Sequence, residues 1–434
     1  MTSAALRVGR RLFCAGLATA ASAGALGRTP FGGVLRMVVP WSLERIDPHA
    51  PDDPVAALFG AAIADPLYAV DPHGRVYSAL AEALPKPVAR GFDVRLRPGL
   101  ITARGKPLDA RDVLASLARA KKRGVLVPEA RLAGSDRLAL EFSAASMDSL
   151  TDALASPLAA ILPRSYSPLE PDGTGAFLAE LARGKLVLKR NATGARGPGY
   201  LDAVEVATVT DLAEALRAFE AGSVDLGWLG AGLHQARRNA QAFRGTGYGW
   251  AVLRTGKRAG SWSAPGVAQK LLDGVDPERL RHLGLQELSP IAASAIAWGG
   301  GNTQLLVADD APQLVLIARS LAALLQRPGH DIAVEPVPRI ELAKHRDTRD
   351  FALLVDFVRG LGPGRKRVEE TFLLAENPEL AKRPSGRFGS DARAVCRTLG
   401  LGVIGELWVE GAHDAAFQRL SGWQLGNVFR TDAT

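Results

Sequence analysis

Apolar and polar positions follow two interleaved rhythms along this chain. The first is a strand rhythm. VLRMVV at residues 34–39 passes from alternation into an unbroken apolar run, which suits a buried strand, and Pro40 ends it. FDVRL at 92–96 alternates and is turned by RPG at 97–99; LALEF at 138–142, KLVLK at 185–189 and AVEVATV at 203–209 follow. A short buried strand is expected within SVDLG at 223–227, and later strands at 304–307, 331–336, 351–358 and 405–409.

The second rhythm is helical. It predicts helices over 56–64, from 110 to about 122 with Asp109 as N-cap, and over 212–221 with Asp211 as cap and Gly222 as closure. Further helices are expected at 264–274, from Pro277 at its favoured first position, at 312–325 and at 392–399. Residues 376–390 are polar, broken by prolines, and read as a loop. Strands interleaved with helices in this way predict an α/β fold with mixed sheets.

A chain of 434 residues has room for two or three domains. Its net charge of +8 raises the question of nucleic acid, but Lys and Arg are scattered and aromatics make up only 6%. The clusters Lys121-Lys122-Arg123 and Arg365-Lys366-Arg367 are short and read as solvated faces or loops, so no nucleic-acid partner is expected.

The first 30 residues are expected to form a signal peptide. Arg7, Arg10 and Arg11 precede an apolar, small-residue run, LFCAGLATAASAGAL, and Arg10-Arg11-Leu12-Phe13 looks like a twin-arginine export signal. Of the two cysteines, Cys14 lies in that segment; Cys396 alone then remains, so neither a disulfide framework nor a thiolate zinc site is expected.

Catalytic and cofactor motifs are missing. The chain contains no GxSxG, HExxH or GxxxxGK[ST], no GxGxxG that opens a helix after a strand, and its histidines show no metal-ligand spacing. PDGTGAF at 171–177 is the nearest thing to a phosphate cradle, but it lacks the lysine and leads into a strand rather than a helix N-terminus, so a turn is the better reading. Asp52-Asp53, Asp309-Asp310 and Glu369-Glu370 are sequence neighbours whose side chains point apart; they read as solvated charges. Neither a cofactor nor a metal is expected, nor an enzyme.

Several separated strings carry a resemblance: RIDPH at 45–49, ADPLY at 64–68, VDPHGRV at 70–76, FDVRLRPG at 92–99, GKPLDARDV at 105–113, GTGAF at 173–177 and AFEAGSVDL at 218–226. In this order they resemble the extracellular solute-binding proteins of the peptide/nickel/oligopeptide ABC importers. The match is specific over about 35–230 and weaker over 264–357.

The resemblance implies a two-lobed, periplasmic-binding-protein-like α/β fold with a discontinuous first lobe and a hinge. Its expected division is a first lobe at 31–253 with an inserted subdomain near 75–155, a second lobe at 254–400, and a return to the first lobe at 401–434. It further implies a soluble periplasmic monomer that takes a small polar, peptide-like ligand and meets ABC permease subunits. The rival expectation is a degenerate relative that acts as a sensor or scaffold without import.

In peptide-binding relatives the strand near 351–357 leads into an aspartate segment that pairs the ligand's amino group. Here the stretch reads FALLVDFVRGLGPG: Asp356 lies within the strand and Arg359 follows, a cation that favours an anionic ligand. The candidate contacts are Trp41, Trp228, Trp250, Arg254, Trp262, Asp356 and Arg359. For each tryptophan the competing reading is core packing; for each charged residue it is a surface or lobe-bridging salt bridge.

Overall fold

A computed structural model describes residues 29–431 apart from 72–73, 135, 230–239, 246, 277, 284, 287–295, 363–364, 378–379, 381–390, 415–416 and 419–424. The expected signal segment, Pro277 and most of the 376–390 loop therefore lie outside the described residues.

Two large sheets organise the chain. The first has seven strands, in the order Ala240–Arg244, Glu410–Asp414, Leu226–Gly227, Val34–Val39, Ala203–Thr208, Lys185–Arg190 and Phe177–Ala182. Val34–Val39 lies inside it, parallel to Ala203–Thr208 on one side and to Leu226–Gly227 on the other. Both of its faces are covered: Leu35, Met37 and Val39 enter the main core, and Val38 packs with Phe219 and Trp228. That double burial is why VLRMVV stops alternating.

The second sheet has six strands, in the order Leu285–Gln286, Leu401–Leu407, Gly249–Thr255, Leu353–Arg359, Thr303–Ala308 and Ile332–Val337. Thr303–Ala308 runs parallel to both of its neighbours, and the apolar helix Pro312–Leu325 joins it to Ile332–Val337. A separate four-stranded sheet, Lys86–Val88, Gly91–Arg95, Ala139–Ser143 and Glu129–Leu132, carries its own core with the helix Ala110–Lys122. Asp109 caps that helix with a reciprocal capping box to Asp112.

Among the described residues, two backbone segments pass between the large sheets, one between Arg244 and Gly249 and one at residues 408–409. They lie side by side: Gly245 N donates to Val409 O at 3.0 Å, and Tyr248 N to Leu407 O at 3.0 Å. The chain thus leaves the first sheet after Arg244 and rejoins it at Glu410. Gly249–Thr255 and Leu401–Leu407 pair with each other in the second sheet, and the strand that rejoins the first is Glu410–Asp414 rather than 405–409. Apolar β-residues run through both crossings, so the pattern marks strands there without saying which sheet they join.

The PDGTGAF segment is structural. Gly175 N donates to Ile63 O at 2.8 Å, against the C-terminus of the helix Pro54–Ile63. A Cβ at Gly173 would lie 2.4 Å from Ile63 O, and one at Gly175 would lie 2.4 Å from Ala62 O. Thr174 Oγ1 donates to buried Asp65, and Thr102 Oγ1 donates to Asp172. Gly175→Ala is therefore expected to destabilise the chain by about 1–3 kcal/mol through overpacking, read as a lower denaturation midpoint with an unchanged slope.

Among the described residues, three helices were not anticipated from the pattern: Arg339–Thr348, Arg365–Glu376 and Met147–Leu154. The first buries only Leu342, so it has almost no apolar stripe. The second does carry a signal in Val368, Phe372 and Ala375, which are spaced by four and three and pack on one core cluster. Among the described residues, no helix is long and apolar enough to cross a membrane.

Candidate ligand site between the lobes

A cavity of about 530 Å³ opens between the two lobes. From the first lobe come Pro51 and Asp52, in the loop ahead of Pro54–Ile63, and Arg123 at the end of Ala110–Lys122. The second lobe supplies Arg254, Arg346, Arg349, Arg359 and Glu376, with an apolar wall that includes Phe351, Phe357, Leu361 and Leu374.

The floor is the end of the strand Leu353–Arg359, all seven residues of which are buried. Asp356 sits within it. One carboxylate oxygen accepts from Arg254 Nε at 3.1 Å and from Arg346 Nη1 at 3.3 Å, and the other accepts from Phe357 N at 2.9 Å. Asp356 thus fixes two cavity arginines from beneath. Arg346 also reaches across to Asp52 at 2.7 Å. Burial alone would lower the Arg346 guanidinium; Asp356 and Asp52 outweigh it and hold the pKa above its ordinary value. Burial likewise opposes ionisation of Asp52, and Arg346 reverses that, leaving its carboxyl below the usual value.

The other arginines are satisfied in different ways. Arg123 pairs with Asp47 at 2.8 Å, and Arg349 with Glu376 at 3.4 Å. Arg359, only 3% exposed, donates through Nη1 to Pro48 O at 2.7 Å, and its backbone N donates to Pro51 O at 2.9 Å. Further along the seam, Arg367 Nη2 donates to Asp152 O at 2.7 Å and Arg339 Nη1 to Asp52 O at 3.3 Å. Arginines of the second lobe therefore hold the first lobe by its carbonyl groups as well as by the carboxylates of Asp52 and Asp152.

Of the seven candidates read from the sequence, Arg254 and Arg359 line this cavity, and Asp356 anchors it from below. The four tryptophans do not line it. Trp41 is fully buried, donates from Nε1 to Tyr248 Oη at 3.1 Å and lies 5.8 Å from the Phe357 ring. Trp228 is packed beside Phe219, Trp250 stands 5.4 Å from Phe372, and Trp262 stands 5.2 Å from Trp298.

The adjacent acid pairs are not simply solvated charges. Asp53 is buried and caps Pro54–Ile63, and Asp52 meets Arg346. Asp310 pairs with Arg339, Glu369 is buried, and Glu370 pairs with Arg367. Arg367 itself bonds to Asp152 across the seam and Arg123 faces the cavity, so neither basic cluster is wholly a solvated face. For Asp52, Asp310 and the Arg367–Asp152 contact the partner comes from a distant part of the chain, which adjacency in sequence does not reveal.

No family model matches the sequence, and no curated protein matches it either. Solved structures do. The oligopeptide-binding protein AppA from Bacillus subtilis, in complex with a nonapeptide, superposes with a TM-score of 0.68 over 93% of this chain and 100% of its own, at 14% identity. The chain shares that fold. NikA from Staphylococcus aureus, in complex with Ni(L-His)2, gives 0.64 at 15% identity over 92% of this chain and 98% of its own. AgaA from A. tumefacien R10, in complex with agropinic acid, gives 0.67 at 16% identity over 93% and 99%. The two-lobed binding-protein architecture implied by the ordered sequence strings is thus the observed one, and the cavity lies between its lobes.

Proposed function

We propose that this chain is an exported solute-binding protein. It encloses a small polar, peptide-like solute between its lobes and presents it to the permease subunits of an ABC importer. The observation that carries this reading is the cavity itself. It lies between the lobes, is lined from both, and at about 530 Å³ falls in the size range of small-molecule sites, roughly 300–1,000 Å³. The two adjacent crossings form a hinge about which the lobes part and close, and a ligand that touches both lobes favours the closed form.

The bound molecules of the structural neighbours support a ligand of this kind: a nonapeptide in AppA, Ni(L-His)2 in NikA and agropinic acid in AgaA. In this reading the protein works as a monomer in the periplasm after its N-terminal segment is removed, and its chemistry is capture rather than catalysis.

The test is a thermal-shift screen of the processed protein against short peptides, amino acids, organic acids, sugars and nickel chelates. A ligand that binds only the folded state at 100 times its Kd adds about 2.7 kcal/mol of stability, so one chemical class should raise the melting temperature by several degrees. A folded protein that shifts with nothing in the set overturns the receptor reading.

A further inference from the structure

Arg359 differs from every other charged group around the cavity. Arg254 and Arg346 share Asp356, Arg349 meets Glu376, and Arg123 meets Asp47. Among the described residues, no carboxylate lies within 4.0 Å of the Arg359 guanidinium, whose one protein acceptor is Pro48 O, taken by Nη1. The nearest acids are engaged elsewhere. Asp53 accepts from the backbone of Asp47, Val55 and Ala56, and Asp47 accepts from Arg123 and from His49 N.

The charge is nonetheless present at neutral pH. Burial lowers the Arg359 pKa, to about 10, and Asp53 and Asp47 oppose the fall from a distance. A buried cation without a counter-ion is costly, and a guanidinium that spends one donor on a carbonyl keeps its planar fork for another acceptor. Nη2 lies against the first-lobe helix, where a Cβ on Gly60 would be 3.4 Å away. Arg359 also lines the cavity, beside Phe357, Val358 and Leu361.

Resting on the receptor reading above, we infer that the solute is an organic carboxylate, with its carboxylate taken by Arg359 and its uncharged body lying along the apolar wall. The two halves of the lining carry this. A lone buried guanidinium selects a planar anion that it can meet with two parallel hydrogen bonds. Phe351, Phe357 and Leu374 select a carbon skeleton over a bare inorganic ion. Asp356, the one carboxylate in this strand, is committed to Arg254 and Arg346 and is not free to receive an amino group.

The experiment is calorimetric titration of the processed protein with matched acid and amide probes: trialanine against trialanine amide, glutarate against glutaramide, and inorganic phosphate as the bare anion. In the wild type each acid is expected to bind at least tenfold more tightly than its amide, and more tightly than phosphate. Arg359→Met should erase the preference for acid over amide, and Arg359→Lys should retain part of it. The wild-type acid/amide ratio needs no variant to fold and decides the carboxylate class; Arg359→Lys, which keeps the charge, decides the residue if Arg359→Met is lost to misfolding, since an acid preference wholly unchanged in it overturns the assignment to Arg359. Amides that bind as well as acids, or phosphate that binds as well as either, overturn the carboxylate assignment. So do hits in the broad screen confined to sugars or amines; these outcomes leave the receptor reading standing. Silence in that screen removes both.

Discussion

Replacing Asp356 with alanine is expected to lower the stability of the folded chain by about 3–5 kcal/mol, the usual cost of removing one partner from a buried ion pair. Asp356 is 4% exposed and Arg254 6%, so neither charge has water to fall back on. With the carboxylate gone, the remaining carboxylate for Arg254 is that of Glu376, at 3.9 Å, and Phe357 N loses its side-chain acceptor. Arg346 keeps Asp52 across the seam. The loss therefore falls mainly inside the second lobe, on the floor of the cavity. Urea denaturation followed by circular dichroism checks it: the midpoint should fall sharply while the slope stays constant. Asp356→Asn keeps the shape and an acceptor for Phe357 N, so it separates loss of charge from loss of packing. If the alanine variant falls by less than about 1 kcal/mol, well under the usual range for such a pair, Asp356 does not hold the arginines as described.

Trp41→Ala is expected to cost a similar amount, about 3–5 kcal/mol, by opening a void in a close-packed core. Its ring belongs to an aromatic trio assembled from three places: Trp41 follows the first-lobe strand, Tyr248 ends a crossing, and Phe357 belongs to the second sheet. The truncation also strands the Tyr248 hydroxyl, which accepts from the indole, in a residue that is 6% exposed. Because the trio spans the lobes, the variant should also make them part more readily, seen as a larger radius of gyration in solution scattering without ligand. Trp41→Phe retains most of the packing and should recover most of the stability. If Trp41→Ala weakened ligand binding while leaving stability unchanged, the indole would be a ligand contact after all.

How much of this was legible in the sequence depends on the range of the interaction. Caps are local, so Asp109 and Asp211 were readable from one turn of sequence, and both cap as expected. The buried strand Val34–Val39 was readable because burial on both faces removes alternation. The cavity is another matter. Asp52 and Arg346 are 294 residues apart, and Pro48 and Arg359 are 311 apart. Only the fold brings them together. Tryptophan was a poor guide to the cavity for a related reason: its large apolar area is just as valuable between lobes and under helices as beside a ligand. The charged candidates fared better, because Arg254, Asp356 and Arg359 lie in β-rich runs where an unpaired charge has no cheap place to go.

The side-by-side crossings have an evolutionary consequence. The described part of 249–407 leaves and rejoins the first sheet at one point, with Tyr248 N only 3.0 Å from Leu407 O. An insert of that shape can be spliced in, lost or exchanged as a cassette, since a short loop would reseal the host sheet. Its attachment to the host is permissive in part. Arg359 Nη1 holds the carbonyl of Pro48 and its backbone N that of Pro51, and a carbonyl is supplied by every residue type; Arg346 and Arg367 additionally pair with the carboxylates of Asp52 and Asp152. Where the host offers only a carbonyl its surface can drift in sequence and still be gripped, whereas Asp52 and Asp152 must keep their carboxylates to hold Arg346 and Arg367.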